Sequence, residues 1–144
     1  MKLNKKISIV IPVYNEGGIL EHLYKRLSKV VEARHEDFEF LFINDGSNDG
    51  SLDKLLQLRN DDKRVKIVDF ARNYGHHSAV LAGCTNADGD AVILMDADME
   101  DLPEDIPLFL DKWEEGYQVV YAVRKLRKVS FRMASFFYLF HKLN

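Results

Sequence analysis

Ala91-Val92-Ile93-Leu94-Met95-Asp96-Ala97-Asp98 runs five apolar residues straight into two carboxylates spaced i, i+2. A short apolar run of this length has the reach of a buried strand. The acidic pair is therefore expected where a strand leaves the core. Four further runs share the pattern, at residues 7–11, 38–43, 65–68 and 119–123. Segments of helical period separate them, around 18–32, 51–59, 76–87 and 103–115. The order is βαβαβαβαβ, the signature of an α/β, doubly wound, mainly parallel sheet with helices on both faces and right-handed crossovers.

In such a sheet ligands sit outside the carboxyl ends of the strands, and the unusual residues of this chain fall there. Pro12-Val13-Tyr14-Asn15-Glu16 follows the first strand and Asn44-Asp45-Gly46-Ser47 the second. Ala71-Arg72-Asn73-Tyr74-Gly75 follows the third, and Asp96-Ala97-Asp98-Met99-Glu100-Asp101 the fourth. A hard divalent cation takes oxygen ligands, and Mg²⁺ is commonly held by one or two carboxylates together with substrate phosphates. Asp96 and Asp98, with Glu100 and Asp101 close behind, suit a metal that bridges protein and diphosphate. A solvated acidic loop is the plainer reading of the same residues.

Asp45 stands at the tip of a buried strand, placed to accept from a nucleobase N–H, whereas Gly46, Ser47, Asn48, Asp49 and Gly50 read as turn and helix-cap residues. Neither a Gly-x-Gly-x-x-Gly fingerprint nor a P-loop occurs. Phosphate binding then falls to a metal and to basic side chains, for which Arg124, Arg127 and Arg132 are candidates because a guanidinium matches phosphate geometry. Neighbouring His76 and His77 do not share a helix face and are not a two-histidine metal site; one of them lines the site. Cys84, Met95, Met99 and Trp113 read as core or loop packing, Cys84 by the buried habit of free cysteine.

The 144 residues, 47% hydrophobic and 30% charged, are enough for one ordinary core. A net charge of -3 gives no basic stripe for nucleic acid, so no nucleic-acid partner is expected. One cysteine excludes an internal disulfide. No apolar run approaches the roughly 18 residues of a membrane span. The last stretch changes character: Arg124, Lys125, Arg127, Lys128 and Arg132 are interleaved with and followed by Phe131, Phe136, Phe137, Tyr138 and Phe140. It reads as an amphipathic segment at an anionic membrane surface, or as a helix packing on a further part of the domain. The division expected is 1–123 as the α/β domain, nucleotide-sugar-binding by the resemblance that follows, and 124–144 as this basic, aromatic segment.

Together, residues 9–16, 44–50, 72–76 and 95–101 resemble glycosyltransferase family 2, and within it the polyprenyl-phosphate glycosyltransferases, the group of bactoprenol glucosyltransferases and dolichol-phosphate mannose synthase. The resemblance implies a GT-A-like domain and a nucleotide-diphospho-sugar donor. It places Pro12, Tyr14 and Glu16 around the nucleoside, Ile43 and Asp45 at the base, and Asp96, Ala97, Asp98 and Glu100 at diphosphate and metal, either Mg²⁺ or Mn²⁺. Asp98 is the leading metal ligand, and Arg124 and Arg132 match positions near the donor diphosphate or the acceptor phosphate. Two departures stand out: Asn44 where relatives usually have Asp, and Glu100 where they commonly have Gln.

Members of that group continue beyond the point where this chain stops, usually with transmembrane helices. The resemblance thus implies the donor half of a metal-dependent inverting enzyme, peripheral at the cytoplasmic side of a membrane, with polyprenyl phosphate as acceptor and self-association through a C-terminal region. Overall similarity of residues 72–76 and 96–103 to the bactoprenol type favours a uridine-diphosphate sugar and undecaprenyl phosphate. The rival activities are a nucleotidyltransferase, which would usually begin with a Gly-rich basic loop after the first strand, and a nucleotide-binding module without catalysis.

Overall fold

Four parallel strands form the sheet of this computed structural model, which describes residues 5–123. They are β1 (Lys6–Val13), β2 (Asp37–Asn44), β3 (Val65–Asp69) and β4 (Ala91–Leu94), in the order β3-β2-β1-β4. The helices are α1 (Leu20–Glu32), α2 (Ser51–Asp61), α3 (His76–Asn86) and α4 (Ile106–Glu114), with a 3₁₀ turn at Pro103–Asp105 before the last. The chain divides into two compact units, Met1–Asp111 and Lys112–Asn144. All four described strands belong to the first.

Strand parity assigns the faces. Ile7, Ile9 and Ile11 share one side of the sheet with Phe38, Phe40 and Phe42, and all six are buried. α1 covers this side, its Leu20, Leu23, Leu27 and Val31 forming a stripe at helical spacing and its Tyr24 ring meeting Phe40 edge-on at 5.9 Å. α2 packs beside it. The other side presents Val10, Leu41 and Ile43 to α3, which lies across β1 and β2. α3 approaches closely because its buried positions are Ala79 and Gly83, one turn apart; a Cβ at Gly83 would run into Val10. The helix before β4 lies on the opposite face because the chain reverses its direction across the sheet between β3 and β4. Right-handed crossovers require that change.

Three sequence expectations are corrected. Residues 119–123 form no strand: Val119, Tyr121 and Val123 are 69–80% exposed. A β-branched run becomes a strand only where a neighbour takes its backbone hydrogen bonds, and among the described residues none does. Cys84 is exposed rather than core, because it sits about 100° around the helix from the sheet-facing Gly83. β4 alternates between half-buried and exposed instead of being buried throughout, with Val92 and Leu94 facing outward. Among the described residues, no helix is long and apolar enough to cross a membrane.

One polar cluster is buried at the amino ends of the strands. Glu39, 2% exposed inside the apolar run of β2, accepts from the Ser8 hydroxyl at 2.6 Å and the Asp88 N–H at 2.9 Å through Oε1. Its Oε2 lacks a partner of good hydrogen-bond angle, yet the Lys6 and Lys66 ammoniums stand 2.6 and 2.8 Å away, so charge holds it. Burial pushes the Glu39 carboxyl up, but Lys6, Lys66, Ser8 and the Asp88 N–H outweigh it and bring the pKa down to about 2.

A cleft at the carboxyl ends of the strands

The strand order changes direction between β1 and β4, and at such a switch point the loops diverge and leave a crevice. Here they enclose a cleft of about 270 Å³, lined by Pro12, Tyr14, Glu16, Asp45, Asn73, His76, Asp96 and Asp98 among others. Ladder hydrogen bonds run up to its rim. Met95 N–H donates to Val10 at 3.1 Å, so Asp96 emerges directly from the sheet, and Asp45 N–H donates to Val13 at 2.8 Å.

The loop after β2 lies between its two neighbours and ties them together. Asp45 is 3% exposed, and its two carboxylate oxygens accept from the N–H groups of Tyr74 at 2.6 Å and Gly75 at 2.9 Å. Each oxygen keeps a second lone pair for a ligand donor. Gly46 has φ of +65° and lies against the backbone of Arg72 and Asn73, where a Cβ would collide. Gly46→Ala therefore meets both a left-handed penalty and a backbone clash. It is expected to destabilise the protein by about 2 kcal/mol or more, read as a lower urea midpoint. Asn44, buried beneath, donates its amide to Asp69 Oδ1 at 2.7 Å. An aspartate there would face Asp69 charge to charge, so the asparagine matches its local partner.

On the other side, the loop after β1 gives three successive N–H groups to side chains of the β2–α2 loop and the start of α2: Asn15 to Ser47 at 3.0 Å, Glu16 to Ser51 at 3.1 Å, and Gly17 to Asp49 at 2.9 Å. Asn15 takes φ of +57°, a conformation asparagine tolerates, and its amide oxygen accepts from Asn48 N–H at 2.9 Å. These N–H groups, in the loop that leads to α1, are occupied from within. Among the described residues none of α1 lines the cleft, unlike the first helix of dinucleotide-binding folds.

The acidic arm follows β4. Asp96 is half-buried, with the His76 ring nitrogen Nδ1 3.9 Å from its Oδ1, and Asp98 is exposed and accepts from Glu100 N–H at 2.8 Å. Met99 adopts φ of +65°, a strained conformation of the kind that collects in functional loops. The Glu16 carboxyl is raised by burial first, then by the charges of Asp98 and Asp49. Glu16, Asp45, Asp96 and Asp98 face a cleft whose lining, among the described residues, includes no lysine or arginine. Negative charge gathered in this way suits a divalent cation. Among the described residues, Asp96, Asp98 and Glu100 form no ready-made three-ligand cluster, so the fit is to a cation held by one or two carboxylates and completed by phosphate oxygens.

The structure brings Pro12, Tyr14, Glu16, Asp45, Asp96, Ala97 and Asp98 to one cleft. Ile43 lies in the core below, fully buried against α3, and Glu100 is exposed outside the lining. Arg124, Arg127 and Arg132 fall outside the described residues. Val13, Asn73, Gly75 and Ala79 also line the cleft and had not been assigned to the site from sequence. The run Arg72-Asn73-Tyr74-Gly75 carried the only signal for two of them, as an odd segment at a strand end.

The family model for Glycosyl transferase family 2 matches residues 8–135. An uncharacterized glycosyltransferase of Bacillus subtilis, YkcC, is 48% identical over 128 residues, covering 89% of this chain and 40% of that protein. A second, sll0501 of Synechocystis, is 45% identical over 123 residues, covering 85% and 39%. The chain thus spans about two-fifths of the length of these relatives. Among solved structures, a Pyrobaculum calidifontis mannosyltransferase in complex with GDP-Man and Mn²⁺ superposes with TM-score 0.67 at 18% identity, over 88% of this chain and 37% of that one. The Staphylococcus aureus protein TarS (residues 1–349), in complex with UDP-GlcNAc, gives 0.61 at 23%, over 84% and 38%. With nearly nine-tenths of its length matched by the family model and its parallel sheet shared with these structures, the chain belongs to glycosyltransferase family 2.

Proposed function

We propose that this chain is the donor-binding part of a metal-dependent, inverting glycosyltransferase that moves a sugar from a uridine-diphosphate donor to a polyprenyl phosphate. The observation that carries the reading is the single cleft joining Pro12, Tyr14, Glu16 and Asp45 on one side to Asp96, Ala97 and Asp98 on the other. Those are the nucleoside and diphosphate ends of one elongated ligand. The nucleotide-sugars in the two solved relatives support the donor class, and the Mn²⁺ in the Pyrobaculum mannosyltransferase supports the cation.

The carboxylates of Asp96 and Asp98 would hold the cation, and when bound it supplies positive charge to a departing diphosphate. Asp45, fixed by the Tyr74 and Gly75 N–H groups, offers a rigid acceptor at the base end. The lipid phosphate oxygen attacks the anomeric carbon in line as the bond from that carbon to the diphosphate breaks, and the nucleoside diphosphate leaves. A phosphomonoester with a second pKa around 6 is largely ionised near neutral pH, so no general base is needed. The basic, aromatic composition of residues 124–144 supports a peripheral site of action at a cytoplasmic membrane surface.

Product analysis tests this reading. The protein, incubated with Mn²⁺, a uridine-diphosphate sugar and a short-chain polyprenyl phosphate, is expected to yield glycosylated lipid and uridine diphosphate. Incubated with a sugar phosphate and a nucleoside triphosphate, it should release no pyrophosphate; release would make it a nucleotidyltransferase. Nucleotide binding with no sugar transferred, even by the full-length enzyme, would leave a nucleotide-binding module without catalysis.

A further inference from the structure

Tyr14 and Glu16 lie on a loop whose shape is held from outside the cleft. Gly17 is gripped on both sides of its Cα: its N–H donates to Asp49 Oδ2, and its carbonyl accepts from Lys54 Nζ at 2.6 Å. A Cβ at Gly17 would sit 3.2 Å from Asp49 Oδ2 and 3.3 Å from Ser51 N, so the loop lies flush on the turn. Asp49 Oδ1 meanwhile accepts from both the Ser51 N–H at 3.0 Å and the Ser51 hydroxyl at 2.5 Å. The hydroxyl so oriented turns its lone pair to Glu16 N–H. Ser51 is fully buried, and Asp49 is exposed outside the cleft lining. One carboxylate therefore fixes two consecutive peptide units of the cleft loop, directly at Gly17 and through Ser51 at Glu16.

We propose that Asp49 is a positioning residue for donor binding: it touches no ligand, but by latching Glu16 and Gly17 it pre-shapes the Tyr14–Glu16 wall that meets the nucleoside. The proposal rests on the donor reading above. Ordering a loop before the ligand arrives removes that cost from binding, so losing the latch weakens nucleotide affinity without removing any ligand contact.

The test pairs a measurement that needs no nucleotide with one that does. In Asp49→Ala, amide hydrogen exchange at Glu16 and Gly17 should speed up, while exchange in α3 stays as in wild type. Affinity for uridine diphosphate with Mn²⁺ should fall about 10-fold, the scale of one hydrogen bond lost from a pre-formed site. Asp49→Asn keeps an acceptor for Ser51 and loses the one for Gly17, so it should fall between wild type and alanine on both readouts. It also serves as the test if the alanine variant does not fold. Unchanged exchange at Glu16 and Gly17, or nucleotide affinity within about two-fold of a wild type that binds, overturns the proposal alone. A wild type that binds no nucleotide overturns the donor reading, and this consequence with it.

Discussion

Asp98→Ala is expected to abolish the metal-dependent part of nucleoside diphosphate binding and leave the protein folded. Asp98 is exposed at the mouth of the cleft, and the hydrogen bond it makes within its loop is to Glu100 N–H. Losing that bond costs about 1 kcal/mol in an exposed turn, too little to unfold the domain. The cation would lose one of the two carboxylates, Asp96 and Asp98, proposed to hold it. Even outer partners of metal ligands are worth about 10–100-fold in metal affinity, so a ligand itself should cost at least that. Titration of the variant with uridine diphosphate should then give the same weak binding with Mn²⁺ as without it. Glu100→Ala, at a residue exposed outside the lining, should keep the metal effect.

The largest effect on stability is expected at Glu39. Its folded pKa of about 2 lies below the usual 4.5, so its contribution is complete above pH 4.5 and is lost as pH falls through 2. A shift of that size corresponds to about 3 kcal/mol at most, and since Lys6 and Lys66 reach solvent, about 1–3 kcal/mol is the expected share. Glu39→Ala should cost more, about 3 kcal/mol at pH 7, because it leaves the Ser8 hydroxyl and the Asp88 N–H without their carboxylate acceptor and leaves Lys6 and Lys66 only the exposed Asp88 carboxylate. Glu39→Gln retains a carbonyl for Ser8 and Asp88. It should lower the urea midpoint less and flatten its pH dependence between 4.5 and 2. An unchanged midpoint for Glu39→Ala would show that the cluster contributes nothing to folding.

Four strands and four helices were legible because each carries its own signal: an apolar run for the strand, a periodic stripe or a Pro start for the helix. Residues 119–123 carry the same local signal, and what they lack among the described residues is a neighbour, which composition does not record. Cys84 shows the same limit within a helix. α3 turns its smallest residues, Ala79 and Gly83, to the sheet, whereas hydrophobicity alone points to Leu81, which is 69% exposed. The Asp-x-Asp pair after β4 and Asp45 after β2 were legible from their position at strand ends. Register was not. Glu39 stands level with Ser8, and only that pairing, with Lys66 one strand further on, turns an apparent flaw in an apolar run into a buried ion cluster. Likewise Ser47 and Asp49 read as turn and cap residues and Ser51 as the start of a helix from their own segment, and their role in holding Asn15, Glu16 and Gly17 lies in the neighbouring loop.

If one cleft binds both ends of a nucleotide diphosphate with a cation between, calorimetric titration of the wild-type protein with uridine and guanosine diphosphates, each with and without Mn²⁺, will register it. Saturable binding of uridine diphosphate that Mn²⁺ strengthens is expected. A folded protein that binds neither nucleotide in the presence of Mn²⁺ would contradict it.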